Sequence, residues 1–381
     1  MNFEEHAAKP LLEAAGIAVP YKSILAHTPE QAEKAAKEIG LCVVKAQAPT
    51  GKRSKAGGII SVEQPFEARE AAEKILGMEI AGHVVKSVLV DFQEVFEHEF
   101  YAAVLNDPAS KGPMVMFSTE GGIDIEEVAE KAPNAIRQTK VDIRQGFAPD
   151  DAREMLDGLD LGGMEDKISD VLVKLYAAYR QNDAELIEIN PLVRSKGTGR
   201  FVALDCKFVM DDSGIKRREE LAARGTPEKL TALEARGEAA GIKYIELDGD
   251  VGVLANGAGL TMTTMDVVRH HGGKPANFCE IGGEAYTKAQ TALELVLGKP
   301  GIKSLVVNFC GAFARCEVMM DGLLNAWEEL SPEVPVFFSI AGTGDQEAIQ
   351  MLKDRLGLDP TPDMDAACRT AVEAANDGEV A

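Results

Sequence analysis

Val251-Gly252-Val253-Leu254-Ala255-Asn256-Gly257-Ala258-Gly259 opens the stretch that decides the fold. Small and apolar residues that read as a buried strand run straight into a glycine-rich turn, and helical spacing of apolar residues follows to about residue 270. The pattern recurs three times. Strand 276–281 leads into Gly282-Gly283 and a helix to 298, strand 304–309 into Gly311 and a helix to about 329, and strand 334–340 into Gly342 and a helix to 355. Four strand–glycine–helix units in succession predict a doubly wound parallel sheet, because each helix carries the chain back to lay the next strand beside the last. Ligands of such a sheet bind at the C-terminal strand ends, where helix N-termini offer free N–H groups.

Working back from residue 243, the texture is less regular. Helices are expected at 4–16 and at 29–39, the second opened by Thr28-Pro29. The strand Leu41-Cys42-Val43-Val44-Lys45 precedes a polar, glycine-containing loop at 49–58 and a second strand from Ile59. Further strands are expected at 86–91, 99–105 and 113–117, helices within 150–181, and a strand at 184–193 pairing with 200–208. The charged, alanine-rich stretch 211–242 reads as a helical connection that ends the first domain, giving domains 1–242 and 243–381.

At 381 residues the chain is too long for one ordinary core, which agrees with that division. A net charge of −22 excludes nucleic-acid binding as the main role, since phosphate backbones repel an acidic surface. No apolar stretch approaches the roughly 20 residues of a membrane helix. The start Met1-Asn2-Phe3-Glu4-Glu5-His6 lacks a signal peptide's basic and apolar regions. Cys42, Cys206, Cys279, Cys310, Cys316 and Cys368 are scattered, with no CxxC pair, so a reduced cytoplasmic protein is expected.

Two groups of residues carry chemistry. Lys45 ends an apolar strand, where an ammonium either snorkels to water or holds an anion. Five residues later, Thr50-Gly51-Lys52-Arg53-Ser54-Lys55-Ala56-Gly57-Gly58 is a basic, mobile loop able to fold over phosphates, although the P-loop spacing is absent. The second group is Glu188-Ile189-Asn190-Pro191-Leu192. Glu188 and Asn190 alternate onto one face of their strand, and Asp205 is expected opposite them on the next strand. An amide and a carboxylate are oxygen-only donors, which suit Mg²⁺ bridging a nucleotide's phosphates.

These residues resemble the ATP-grasp β subunit of succinate–CoA ligases, and the resemblance covers essentially the whole chain from Gly16-Ile17-Ala18-Val19-Pro20 onward. Its most specific blocks are Ser118-Thr119-Glu120-Gly121-Gly122, Leu186 to Val193, Asn256-Gly257-Ala258-Gly259-Leu260, Gly272-Gly273 with Pro275-Ala276-Asn277-Phe278, and Arg315-Cys316. The resemblance implies an N-terminal ATP-grasp domain of two lobes and a flavodoxin-like CoA-ligase domain. It implies an ADP-forming ligase that joins a carboxylic acid to CoA with ATP and Mg²⁺, and an α subunit that carries a phosphohistidine and most of the CoA site. Lys45 resembles the lysine on the nucleotide phosphates, and Lys52-Arg53-Ser54 the loop that covers them. Asp91 stands where the family usually has a glutamate near the adenine, and Glu99 matches a second nucleotide-contacting glutamate. Asn190 and Asp205 match the Mg²⁺ ligands, and Glu188 the acid that faces the phosphohistidine. Asn256 matches a residue of the organic-acid site, and Ala312-Phe313-Ala314 occupies the place of that site's Gly-Ile-Val.

No histidine replaces the α subunit's. His6, His27, His83 and His98 lie outside any glycine-rich loop of that kind, and His270-His271 read as a helix end, where positive charge is favourable. The departures cluster in the second domain. Phe313 and Ala314 are two of them, Glu284 stands for a glycine, and Ser339 for an arginine. They leave open succinate, malate or a larger dicarboxylate as substrate. A non-catalytic nucleotide-binding subunit is a further alternative, opposed by the retention of Lys45, Glu188, Asn190 and Asp205.

Overall fold

The computed structural model of the chain describes residues 1–282 and 287–377, so Gly283 and Glu284 lie outside the described residues. Two compact units meet in sequence between Glu228 and Lys229. The sequence reading set this division at 242/243. Helix Ala232–Ala240 falls instead in the second unit, where Leu233 and Ala240 pack on that unit's core.

Besides the short two-stranded ribbon of Glu79–Ile80 with His83–Val84, the first unit holds two sheets. The smaller is antiparallel, in the order Ser23–Ala26, Val88–Phe92, Cys42–Ala46, Ile59–Val62. Helices Pro29–Ile39 and Pro65–Ile75 bury their alanine faces with Val44, Val62, Val88 and Val90 in one core. The first of these helices starts as expected: Thr28 Oγ1 accepts from the Gln31 N–H at 3.2 Å, Pro29 fills the first turn, and Gly40 at φ +87° ends it.

The larger sheet is antiparallel, in the order Asn2–Phe3, Lys207–Met210, Ala184–Ser195, Phe96–Asp107, Gly112–Ser118, Ile136–Lys140, with Phe201–Ala203 also beside Ala184–Ser195. Helices Glu5–Ala14 and Glu165–Gln181 pack on it through Leu12, Leu172 and Leu175. Pairing of Ala184–Ser195 with Phe96–Asp107 shifts register between Ile189 and Leu192, an irregularity of the kind that re-aims side chains next to a site. The strand expected at 200–208 is broken into Phe201–Ala203 and Lys207–Met210. Asp205 therefore sits in the break and not on a strand.

The second unit is the doubly wound sheet the glycines predicted. Its order is Lys243–Glu246, Asn277–Glu280, Val251–Ala255, Ser304–Gly311, Val336–Gly342, the last four parallel. In chain order the parallel strands run 2-1-3-4, the flavodoxin-like arrangement. Ala258–His270 and Met364–Asp377 cover one face, and Ala289–Leu297, Cys316–Leu330 and Asp345–Leu356 the other. Strand Val251–Ala255 is buried at every residue, as a strand packed on both faces must be. The antiparallel edge strand Lys243–Glu246 was not anticipated. The stretch 211–242 is only partly helical, with Ala232–Ala240 its longest helix.

Candidate functional site

The first unit encloses a cavity of about 100 Å³ whose walls include Glu5, Thr50, Gly51, Lys52, Arg53, Glu188, Asn190, Asp205 and Lys207. Of the predicted residues, Lys52, Arg53, Glu188, Asn190 and Asp205 meet there. They come from the 49–58 loop, the Ala184–Ser195 strand and the break before Lys207–Met210.

Glu5, Arg53 and Asp205 of this wall belong to a largely buried ionic cluster. Lys45 Nζ is 2.9 Å from Glu5 Oε1, 2.8 Å from Asp91 Oδ2 and 2.6 Å from the Leu204 carbonyl to which it donates. Lys9 Nζ is 2.6 Å from Glu5 Oε1 and also pairs with Asp91. Arg53 Nη1 lies 2.8 Å from Glu5 Oε2 and donates to the Ala46 carbonyl at 2.9 Å, while its Nη2 is 2.6 Å from both oxygens of Asp205. Lys45 thus holds anions, but they are the protein's own carboxylates. Although it belongs to this basic loop, the Arg53 side chain is only 5 % exposed because it reaches inward to Glu5 and Asp205. Lys52 is exposed and pairs with Asp124 at 3.1 Å, and Ser54 is exposed. Asp91 is a member of the buried cluster and is absent from the cavity wall.

Burial alone would push Glu5 upward, but Lys45, Lys9 and Arg53 outweigh it and hold the carboxyl well below the usual range. Burial likewise works against the charged forms of Lys45 and Arg53, and the facing carboxylates overcome it, raising both. Glu188 behaves oppositely. Burial dominates and raises it, with Asp205 and Asp124 adding to the rise while Lys207 and the Tyr101 hydroxyl oppose it.

Asn190 Oδ1 accepts from the Gly122 N–H at 2.8 Å and its Nδ2 donates to the Ile123 carbonyl at 2.9 Å, so the carboxamide pins the 121–123 turn. Glu99 is half-buried below the same turn. A Cβ on Gly122, whose φ is +72°, would come within 2.8 Å of its Oε2, so the turn requires glycine. Asn190 and Asp205 give the hard oxygen donors that Mg²⁺ takes. Both are engaged by protein donors here, Asp205 by a guanidinium.

Asn256 and the 311–314 loop lie in the second unit, at the C-terminal ends of the adjacent parallel strands Val251–Ala255 and Ser304–Gly311. This is the point where the strand order reverses, where ligands of this fold bind. Asn256 Nδ2 donates to the Cys310 carbonyl at 2.8 Å and its Oδ1 accepts from the Cys310 N–H at 2.7 Å. The Ala312 N–H donates to the Ala314 carbonyl at 3.1 Å, which leaves Phe313 at the tip, 87 % exposed. Ser339 is buried in the register position facing Asn308. His271 follows the last turn of Ala258–His270 and lies 2.9 Å from Asp365, so it has a carboxylate partner besides the helix end.

The residues that sequence reasoning missed are Glu5, Lys9 and Tyr101. Tyr101 Oη donates to Glu188 Oε2 at 3.1 Å. Glu5 and Lys9 did carry a signal. They share the helix face of Ala8 and Leu12, which is buried, and two charges on an apolar stripe require partners.

Known proteins match along the whole chain. The family described as ATP-grasp domain matches residues 2–194, and that described as CoA-ligase matches residues 254–371. The chain is 42% identical over 99% of its length to an ADP-forming succinate–CoA ligase subunit beta of Rubrobacter xylanophilus, covering 100% of that protein. It is 42% identical over 93% of its length to a GDP-forming subunit beta of Thermus thermophilus, covering 94% of it. Among solved structures, ATP citrate lyase from Methanothrix soehngenii in complex with citrate and coenzyme A superposes with a TM-score of 0.68 at 21% identity, over 98% of this chain and 99% of that one, a likeness of fold.

Proposed function

The chain belongs to the succinate–CoA ligase β-subunit family, and from that membership we propose how its own residues serve an ADP-forming carboxylate–CoA ligase. It is the nucleotide-binding ATP-grasp subunit of such a ligase and works with an α subunit. The observation that supports the residue roles is the meeting of Glu188, Asn190, Asp205, Lys52 and Arg53 in one cavity that Glu5, the ion-pair partner of Lys45, also lines.

In this reading Lys45 and Arg53 hold the phosphates of ATP, and Lys52 and Ser54 close over them. Asn190 and Asp205 hold Mg²⁺, which when bound screens the phosphate charge. The phosphoryl group passes to a histidine of the α subunit, which splits the joining of a carboxylate to a thiol into easier steps. Glu188 faces that imidazole, orients it and favours its cationic form. Glu99 is a nucleotide contact. Asp91, one carbon shorter than the family's usual glutamate, pairs with Lys45. Asn256 and the 312–314 loop receive the carboxylic acid, and the substitutions at Phe313, Ala314 and Ser339 favour an acid other than succinate. The six free cysteines fit a reducing cytoplasm. No helix among the described residues is long and apolar enough to cross a membrane.

Calorimetry on the folded chain tests the nucleotide site: Asn190→Ala and Asp205→Ala should each weaken binding of ATP with Mg²⁺. Unchanged affinity in both would refute the assignment. With the partner present, ³²P from ATP should label the partner and not this chain, and acyl-CoA formed by this chain alone would overturn the divided mechanism.

A further inference from the structure

The ionic cluster of the first unit is balanced. Lys9, Lys45 and Arg53 contribute three positive charges, and Glu5, Asp91 and Asp205 three negative ones, all within ion-pair distance of one another as a connected set. Five of the six side chains are at most 9 % exposed; Glu5, Arg53 and Asp205 line the cavity, and of these Asp205, at 30 %, is the most open. A site built to receive polyphosphate therefore presents little uncompensated positive charge, and its metal-ligating carboxylate is already covered by a cation.

We propose that Arg53 occupies the cation's place on Asp205 until nucleotide arrives, so that metal and nucleotide enter the site together and the metal alone is turned away. The inference rests on reading the cavity as the site of nucleotide and Mg²⁺. The physical argument is an exchange of partners. A guanidinium on both oxygens of a carboxylate removes the charge that would draw a divalent ion. Phosphate oxygens give Arg53 an alternative anion, and the freed carboxylate then meets the metal that the nucleotide carries. Arg53 and Asp205 each keep a charged partner in both states, which matters because an unpaired charge at this burial is strongly unfavourable. The anchor for the exchange is Glu5. Its Oε2 stays with Arg53 Nη1 while Nη2 changes partner, so the side chain swings and does not leave.

The test uses Mn²⁺ alone as the probe, with free ion counted by electron paramagnetic resonance, on the full chain without nucleotide. The unaltered chain should bind Mn²⁺ weakly. Arg53→Gln, which leaves the cluster one negative charge in excess, should bind it at least about tenfold more tightly, or ~1.4 kcal/mol. Arg53→Lys keeps the balance but cannot reach Glu5 and both Asp205 oxygens together, so it should gain by a smaller factor. It also serves as the readout if Arg53→Gln does not fold, as judged by circular dichroism. Mn²⁺ affinity unchanged or reduced in every folded Arg53 variant would overturn the inference. Calorimetry with ATP and Mg²⁺ on the unaltered chain separates the two ideas. Binding there, with no gain in the variants, sinks only the exchange, whereas absence of binding sinks the nucleotide site itself.

Discussion

Tyr101 and Glu188 face each other across the paired strands Phe96–Asp107 and Ala184–Ser195, the phenol donating to Oε2 at 3.1 Å. Burial, and then the Glu188 charge, push the phenol's ionisation far upward, so it remains a donor throughout the working range of pH. One carboxylate oxygen is thereby tied down, on a residue that lines the cavity.

Tyr101→Phe should therefore lower kcat of the assembled ligase by about tenfold, or ~1.4 kcal/mol, with KM for ATP nearly unchanged. Adding it to Glu188→Ala should cost nothing further, because the hydroxyl acts through that carboxylate. Additive losses in the double variant, measured as ³²P transfer to the partner, would show that the hydroxyl acts on something else.

Glu5 makes stability depend on acid. Its folded carboxyl is held well below the ordinary value of 4.5, so it contributes stability that is fully present above that value. The contribution is lost as pH falls through the lower, folded value. Glu5→Gln leaves three buried cations facing two carboxylates and should cost about 3–5 kcal/mol at neutral pH. Thermal unfolding of both chains across pH should show the gap in Tm closing on acidification. A gap that stays constant with pH would contradict the ionic role.

Asn256→Ala should loosen the crevice of the second unit. The carboxamide continues the pairing of Val251–Ala255 with Ser304–Gly311 by two hydrogen bonds to Cys310. Their loss should cost about 1–3 kcal/mol, and KM for the organic acid should rise while KM for ATP holds. Denaturant unfolding and steady-state kinetics read the two effects. An unchanged KM for the acid would remove Asn256 from the substrate site.

Phe313 decides the substrate question most directly. It tips the 312–314 turn, where a ring adds bulk that Ala314 beside it takes away. With the partner subunit, the ligase should prefer another acid over succinate by about tenfold or more in kcat/KM, equivalent to ~1.4 kcal/mol. Phe313→Ile with Ala314→Val should shift preference back. A panel of mono- and dicarboxylic acids, read by CoA-thioester formation, settles it. Succinate winning by a wide margin would reject the reshaped pocket.

What the sequence by itself determined is whatever repeats locally. An apolar strand, a glycine and an amphipathic helix are each recognisable within a dozen residues, so the doubly wound sheet was legible from 251–342. Alternation along Glu188-Ile189-Asn190 was enough to turn both polar side chains to one cavity. Lys243–Glu246 was not legible, because an exposed edge strand of four residues carries no apolar run. Only the tertiary structure decided the charge cluster. Glu5, Lys45, Asp91 and Asp205 come from four segments far apart in the sequence. Arg53 belongs to a loop whose polar composition reads as solvated until closure brings it onto Glu5 and Asp205. Pairing over such separations leaves no periodic trace, since the force that orders it is the cost of a bare charge in a buried place, and that cost exists only once the chain has folded around it.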